Sequence, residues 1–70
     1  MDMRRIVGDN VKAARLAAHL TQEALAERSG FSQQYLSELE SGKRNPTIVT
    51  IYEIALALGV SHEALVRARP

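Results

Sequence analysis

The sequence predicts an all-α fold, a compact bundle of five short helices. Five stretches place apolar residues at the spacings of three and four that put them on one face of a helix. Four of these stretches follow a Ser or Thr that can serve as an N-cap. Three are followed by a Gly that can end the helix, at Gly30, Gly42 and Gly59. Hydrophobic residues make up 46% of the chain and aromatic residues only 4%, which suits a core of Leu, Ile and Ala.

Size and composition limit the organisation of the chain. Its 70 residues are expected to form one domain, residues 1–70, below the size at which a single core is comfortably stable. Cys is absent, so neither a disulfide nor a thiolate metal site can add stability. The net charge of +1 does not by itself indicate a nucleic-acid-binding protein. There is no membrane-length apolar run and no signal-peptide core, so we expect a cytoplasmic protein without a membrane contact.

The first helix is expected over residues 6–19. The apolar residues that recur there at helical spacing are Val7, Val11, Ala14 and Ala18. His19 is expected to end this helix, where a cationic imidazole would suit the helix dipole. Residues 1–5 are polar and basic, and they are expected to fray or to form a short arm in which Arg4 and Arg5 could reach phosphate.

The second and third helices form a closely linked pair, expected over residues 22–29 and 33–41. Thr21 and Ser32 are their N-caps, and Gly30 supplies the left-handed residue of the turn between them. Two short capped helices joined by so tight a turn cannot lie antiparallel. They must cross at a steep angle, which is the helix-turn-helix arrangement.

The fourth helix is expected over residues 48–58, capped by Thr47, and the fifth over residues 62–67, capped by Ser61. One apolar stripe of the fourth helix should close the core; it comprises Ile48, Ile51, Ile54, Ala55 and Leu58. The fourth helix also carries a second apolar stripe, and the short last helix is too small to cover both stripes. We therefore expect a homodimer, although coverage by the last helix remains the alternative. The predicted interface residues are Val49, Tyr52, Leu56 and Val66.

The third helix carries a polar outward face that is suited to reading DNA. Its predicted base-reading residues are Gln33, Gln34, Ser37 and Glu38. Gln pairs bidentately with adenine in the major groove, and Ser bonds to several base edges. Every amphipathic helix has a polar face, so a solvated surface is the alternative. We favour a DNA-reading face over a solvated surface, because the face belongs to the second helix of a capped pair. Glu38 is repelled by phosphate unless it accepts from a cytosine amino group.

A basic loop follows the third helix. Lys43 and Arg44 are adjacent cations, followed by Asn45 and Pro46. An exposed polar loop is the simpler interpretation. Directly after a recognition helix, however, such a loop can grip the phosphate backbone, and we favour that role.

The residues from about Val7 to Leu65 resemble the lambda-repressor-like helix-turn-helix family of phage repressors, Cro proteins and small bacterial regulators. The positions that carry the resemblance are Leu20-Thr21-Gln22, Leu25-Ala26, Gly30, Ser37, Glu40, Gly42, Pro46, Ala55 and Leu58-Gly59. Ala24 departs from the pattern, since family members often carry Glu there to complete a capping box.

The resemblance implies a small transcriptional regulator that binds a double-stranded DNA operator as a homodimer on an inverted repeat. It also implies that Gln22 bonds a phosphate and orients Gln33, and that Arg15 and Glu40 form a partly buried ion pair. Together with the loop, the expected phosphate-contacting residues are Thr21, Gln22, Ser32, Lys43, Arg44 and Asn45.

An antitoxin or another protein-interaction module with the same fold is the alternative function. An enzyme is not expected, because no nucleophile–base–acid spacing and no phosphate-binding Gly loop occurs. His19 and His62 are far apart in the sequence, so no metal site is predicted. No cofactor and no small-molecule ligand is expected either.

Overall fold

A computed structural model describes residues 2–68; Met1, Arg69 and Pro70, the ends of the predicted domain, lie outside it. Its elements are α1 (Met3–Ala17), α2 (Gln22–Ser29), α3 (Gln33–Glu40), α4 (Ile48–Leu58) and α5 (His62–Val66). Residues 2–68 contain no strand, and the predicted all-α bundle of five short helices is confirmed. None of the described helices is long and apolar enough to cross a membrane.

Helix α1 begins at Met3, three residues earlier than predicted. The side chain of Asp2 is the reason, because it accepts a hydrogen bond of 3.1 Å from the backbone N–H of Arg4 and so caps the helix. That hydrogen bond lowers the pKa of Asp2. Arg4 and Arg5 are therefore helical, and the prediction of a frayed arm is wrong for residues 3–5.

The other end of α1 also differs from the prediction, since the helix stops at Ala17 rather than at His19. His19 has a φ of +59°, a left-handed backbone conformation that Gly usually supplies. The backbone N–H of His19 donates to Leu16 O and that of Leu20 donates to Arg15 O, each at 3.0 Å. These two bonds are those of a Schellman motif, so His19 ends the helix through its backbone.

Helices α2 and α3 are closed at their N-termini by side chains. Thr21 Oγ1 accepts from the backbone N–H of Ala24 and Ser32 Oγ accepts from that of Tyr35, each at 3.0 Å. Helix α2 occupies the predicted residues, and α3 ends one residue earlier than predicted, at Glu40. Gly30, at φ +83°, makes the left-handed turn between the two helices.

The core lies between all five helices. Its fully buried large side chains are Leu25, Leu36, Leu39, Ile54, Leu65 and Val11. Helices α1 and α3 approach each other closely at Gly8, where an added Cβ would collide with the backbone oxygen of Leu39. Only Gly permits this spacing, so the position of α3 on the bundle depends on Gly8.

Helix α4 buries Ile51, Ile54, Ala55 and Leu58 as predicted. The prediction for Ile48 is wrong, because its side chain is 67% exposed. Ile48 is the first residue of the helix, and at about 100° per residue it lies nearer to Tyr52 than to the middle of the buried stripe. No neighbouring element covers that edge in residues 2–68.

Helix α5 runs over His62–Val66, one residue shorter than predicted. The prediction that Ser61 caps it is wrong in detail, since its side chain makes no capping bond and the turn is closed by the backbone N–H of Ala64 donating to Ser61 O. Asn10 is buried in α1, and its Nδ2 donates to Leu65 O at 3.1 Å and to Arg67 O at 2.8 Å. This amide satisfies carbonyls at the end of α5.

Candidate nucleic-acid interface

Helix α3 has two chemically distinct faces. Its inner face buries Leu36, Leu39 and Glu40. The predicted base-reading residues lie elsewhere on the helix: Gln33, Gln34 and Ser37 are exposed and Glu38 is half-buried. Three short polar side chains therefore stand on the surface of a helix whose other face is fixed in the core.

A buried ion pair attaches α3 to α1. Arg15 Nε donates to Glu40 Oε2 at 2.7 Å, and Arg15 Nη2 donates to Glu40 Oε1 at 3.0 Å. The side chains are only 10% and 4% exposed. Arg15 Nη1 also donates to Leu20 O at 2.8 Å. The hydrogen bonds to Glu40 raise the pKa of Arg15, and the structure thus contains the ion pair that the family resemblance implied.

Gln22 is held by the same carboxylate. Its Nε2 donates to Glu40 Oε1 at 3.1 Å, and the role in orienting Gln33 that the family resemblance implied stays a prediction. An amide nitrogen carries two protons, so one N–H can bond to Glu40 while the other donates to an acceptor outside the protein. Glu40 therefore links the first turn of α2 to the last turn of α3.

Thr21 and Ser32 are exposed at the N-termini of α2 and α3. Each hydroxyl oxygen accepts its capping bond, which leaves the hydroxyl proton free to donate to a phosphate. The positive ends of two helix dipoles lie at the same places and favour an anion. Capping and phosphate contact are thus compatible at both residues.

A second ion pair lies on the surface beside α3. Arg44 Nε donates to Glu38 Oε1 at 2.8 Å, and the two side chains are 47% and 35% exposed. The guanidinium carbon of Arg44 stands 5.0 Å from the centroid of the Tyr35 ring. The Tyr35 ring stacks on Phe31, with 5.2 Å between centroids. We call Phe31, Tyr35, Glu38 and Arg44 the arginine clamp.

The clamp was not predicted from the sequence. Glu38 was expected to read bases and Arg44 to contact phosphate. Tyr35 and Glu38 are three apart on a helix and so are neighbours on its surface. That spacing is the one signal in the sequence, but the return of Arg44 depends on the path of the loop.

The basic loop is exposed at Lys43, Arg44 and Asn45. The backbone N–H of Lys43 donates to Glu38 O at 2.9 Å, which fixes the start of the loop on α3. The first turn of α1 lies beside it, because a Cβ at Gly42 would stand 3.4 Å from the Cα of Arg5. Lys43 and Arg44 thus lie near Arg5 at the end of α3, although the net charge of the chain is only +1.

An apolar strip is exposed on α4, formed by Ile48, Val49, Tyr52 and Leu56. These side chains are 67%, 62%, 51% and 62% exposed, respectively. His62 joins the first three to line a groove of about 260 Å³. Val66, which was predicted to belong to the same interface, lies elsewhere. It packs partly against the core and borders a separate small pocket.

Residues 11–65 match a family model described as helix-turn-helix. The chain belongs to this helix-turn-helix family. It is 62% identical over 66 residues to an uncharacterized HTH-type transcriptional regulator of Sinorhizobium fredii, covering 94% of this chain and 86% of the relative. The chain is also 45% identical over 58 residues to uncharacterized HTH-type transcriptional regulators from two strains of Mycobacterium tuberculosis. That match covers 83% of this chain but only 41% of each relative.

Solved structures of other proteins share the fold. A hypothetical transcription factor from Neisseria superposes with a TM-score of 0.91 at 30% identity, covering 96% of this chain and 77% of that one. The restriction–modification controller protein C.Esp1396I, a tetramer in complex with its natural 35 base-pair operator, gives a TM-score of 0.85 at 32% identity. That match covers 93% of this chain and 86% of the controller protein.

Proposed function

We propose that this protein is a sequence-specific, double-stranded-DNA-binding transcriptional regulator that acts as a homodimer on an inverted-repeat operator. The observation that carries the proposal is the outer face of α3, where Gln33, Gln34 and Ser37 are exposed on a helix whose inner face is buried. The expected cytoplasmic location and the expected lack of enzymatic activity belong to the same proposal.

The chemistry of this face fits the major groove of DNA. A Gln side chain offers a donor and an acceptor together, which match N7 and the amino group of adenine. Ser37 can donate to or accept from several base edges. These contacts need a helix that does not shift, and α3 is held by Leu36, Leu39 and the Arg15–Glu40 pair.

Phosphate contacts would set the register of α3 in the groove. The candidates surround α3 on two sides. Thr21, Gln22 and Ser32 lie at helix N-termini, and Lys43, Arg44 and Asn45 lie in the basic loop. Such contacts supply most of the affinity and make it fall steeply with salt.

The apolar strip on α4 supports the homodimer. It exposes four large hydrophobic side chains next to one another, a feature that marks an interaction surface when it is contiguous. A second copy doubles the number of half-sites bound at little further entropic cost. We expect inverted half-sites about one helical turn apart, or roughly 34–36 Å between centres.

Selection from random duplex DNA tests the proposed DNA binding. The protein is incubated with a pool of random duplexes, and bound sequences are recovered and sequenced through several rounds. We expect enrichment of one inverted repeat that the protein binds at least about 10³-fold more tightly than unrelated DNA. A pool that stays random would overturn the proposal and favour a protein partner as the main ligand.

Sedimentation tests the dimer. Leu56→Glu places a charge in the apolar strip and should shift the mass in solution toward the monomer. Leu16→Glu is a matched control, because Leu16 is 55% exposed on α1 and Leu56 is 62% exposed on α4. A parent protein that is monomeric at tens of micromolar, or a Leu56→Glu variant that dimerises equally well, would exclude this interface.

A further inference from the structure

We propose that Glu38 acts on DNA through Arg44, as a positioning residue and not as a reader of cytosine. In this account Glu38 and Tyr35 hold the guanidinium of Arg44 in one orientation, and Arg44 makes the contact with DNA. The inference rests on the proposed function, since it concerns the same surface. It changes the predicted roles of two residues there. Glu38 holds Arg44 in place, and Arg44 contacts DNA in a fixed orientation.

The geometry of the clamp leaves the two terminal guanidinium nitrogens of Arg44 available. A guanidinium has five N–H donors, of which Nε carries one and the two terminal nitrogens carry four. Glu38 takes the Nε donor at 2.8 Å, and Glu38 is the one acceptor of Arg44 in residues 2–68. The terminal fork is the part that matches guanine O6 and N7, or two phosphate oxygens, in a bidentate contact.

The Tyr35 ring restricts Arg44 from a second direction. The guanidinium lies 5.0 Å from the ring centroid, within the range of a cation–π contact. The ring is itself braced by Phe31 at 5.2 Å. A long Arg side chain loses rotamer entropy when it binds a ligand. Two contacts made before binding therefore remove part of that loss.

Charge explains why the pair should persist on DNA. If Arg44 left Glu38 to reach a phosphate, the carboxylate would remain unpaired beside a row of negative charges. With Nε retained, the carboxylate stays neutralised while the terminal nitrogens bind DNA. The acidic residue on the recognition helix is then neutralised by Arg44, and it does not need a hydrogen bond from a cytosine amino group.

A double-mutant cycle on the selected operator tests the inference. Dissociation constants are measured for the parent, Glu38→Gln, Arg44→Ala and the double variant. We expect Glu38→Gln to weaken binding about tenfold in the parent and by less than about twofold when Arg44 is absent. Asp9→Asn, which removes one carboxylate from the exposed side of α1, should show no such dependence on Arg44.

Two further readouts separate positioning from a structural role. The denaturation midpoint of Glu38→Gln should stay near that of the parent. Arg44→Lys keeps the charge but lacks the fork, and should lose most of the affinity that Arg44→Ala loses. Permuting each operator base pair distinguishes the acceptor. If Arg44 contacts guanine, the parent prefers that base at one position and Arg44→Ala abolishes the preference. If Arg44 contacts phosphate, Arg44→Ala weakens binding to all sequences alike and lowers the salt slope by about 1.

Three results would overturn the inference. Tighter binding by Glu38→Gln would show that the carboxylate only repels DNA or withholds Arg44. An equal loss with and without Arg44, together with a changed preferred base, would make Glu38 a base reader. Equal affinity of the parent and Glu38→Gln would leave Glu38 no role on DNA. If the parent protein selects no DNA sequence, that result contradicts the proposed function, and the inference fails with it.

Discussion

Helix α3 carries two carboxylates, two residues apart, and each is paired with an arginine at nearly the same distance. Glu40 meets Arg15 at 2.7 Å and Glu38 meets Arg44 at 2.8 Å. Their surroundings differ: the first pair is 10% and 4% exposed, and the second is 47% and 35% exposed. The two ion pairs therefore differ in burial and not in bond length.

The difference assigns the pairs to different tasks. Two buried charges depend on each other, since removing one leaves the other charge buried and uncompensated. A pair near water loses little when it is broken, because solvent replaces the partner. The Glu40 pair thus fixes α3 on the bundle, while the Glu38 pair lies at the surface, where it can present Arg44 to a ligand.

The largest expected effect follows from breaking the buried pair. Glu40→Ala leaves Arg15 uncompensated and removes the acceptor of Gln22, so we expect a loss of about 3–5 kcal/mol in the free energy of unfolding. Denaturant unfolding followed by circular dichroism measures it. A midpoint close to that of the parent would show that the pair is not coupled to folding.

A companion variant sharpens this result. Replacing both partners, as in Arg15→Met with Glu40→Leu, removes the charges together and leaves apolar side chains of similar reach. Such replacements are often neutral or stabilising, so the double variant should recover most of the stability that Glu40→Ala loses. If it were as unstable as the single variant, the loss would reflect packing rather than an unpaired charge.

A smaller effect is expected at the contact that brings α1 and α3 together. Gly8→Ala adds a Cβ against the backbone oxygen of Leu39, and backbone cannot rotate away as a side chain can. We expect a destabilisation of about 1–3 kcal/mol. Asp9→Ala on the exposed side of α1 is the control, expected within about 0.5 kcal/mol of the parent. Equal stability of the two variants would refute the close approach.

The smallest effect on stability is expected at the exposed pair. Glu38→Ala should cost only about 0–1 kcal/mol, and any cost should shrink as salt is added. The same denaturation experiment, repeated at low and high salt, measures it. A loss as large as that of Glu40→Ala would mean that the Glu38 pair is structural and would remove the contrast between the two regions.

Local rules predicted the parts of the fold that depend on neighbouring residues. Thr21, Ser32 and Thr47 cap their helices as expected, because an N-cap bond spans only three residues. His19 and Asp2 were harder. The sequence gives no sign that His19 takes a positive φ, and Asp2 was read as part of a charged terminus.

Features that depend on distant segments were harder to predict. Ile48 fits the spacing of the buried stripe, but its exposure depends on which element lies over the start of α4. The arginine clamp depends on where the loop returns to α3. The Arg15–Glu40 pair was expected only through the family resemblance, since helical spacing alone does not show which side chain lies opposite Arg15.

In the proposed function, the outer face of α3 reads DNA sequence while its inner face holds the helix in place. The most direct measurement is the ratio of operator affinity to unrelated-DNA affinity for the parent, Gln33→Ala, Gln34→Ala and Lys43→Ala. Each Gln variant should lower that ratio by a factor that corresponds to about 1–3 kcal/mol of binding free energy, with an unchanged unfolding midpoint. Lys43→Ala should weaken both affinities and leave the ratio unchanged. If both Gln variants kept the ratio of the parent, α3 would not be the recognition helix.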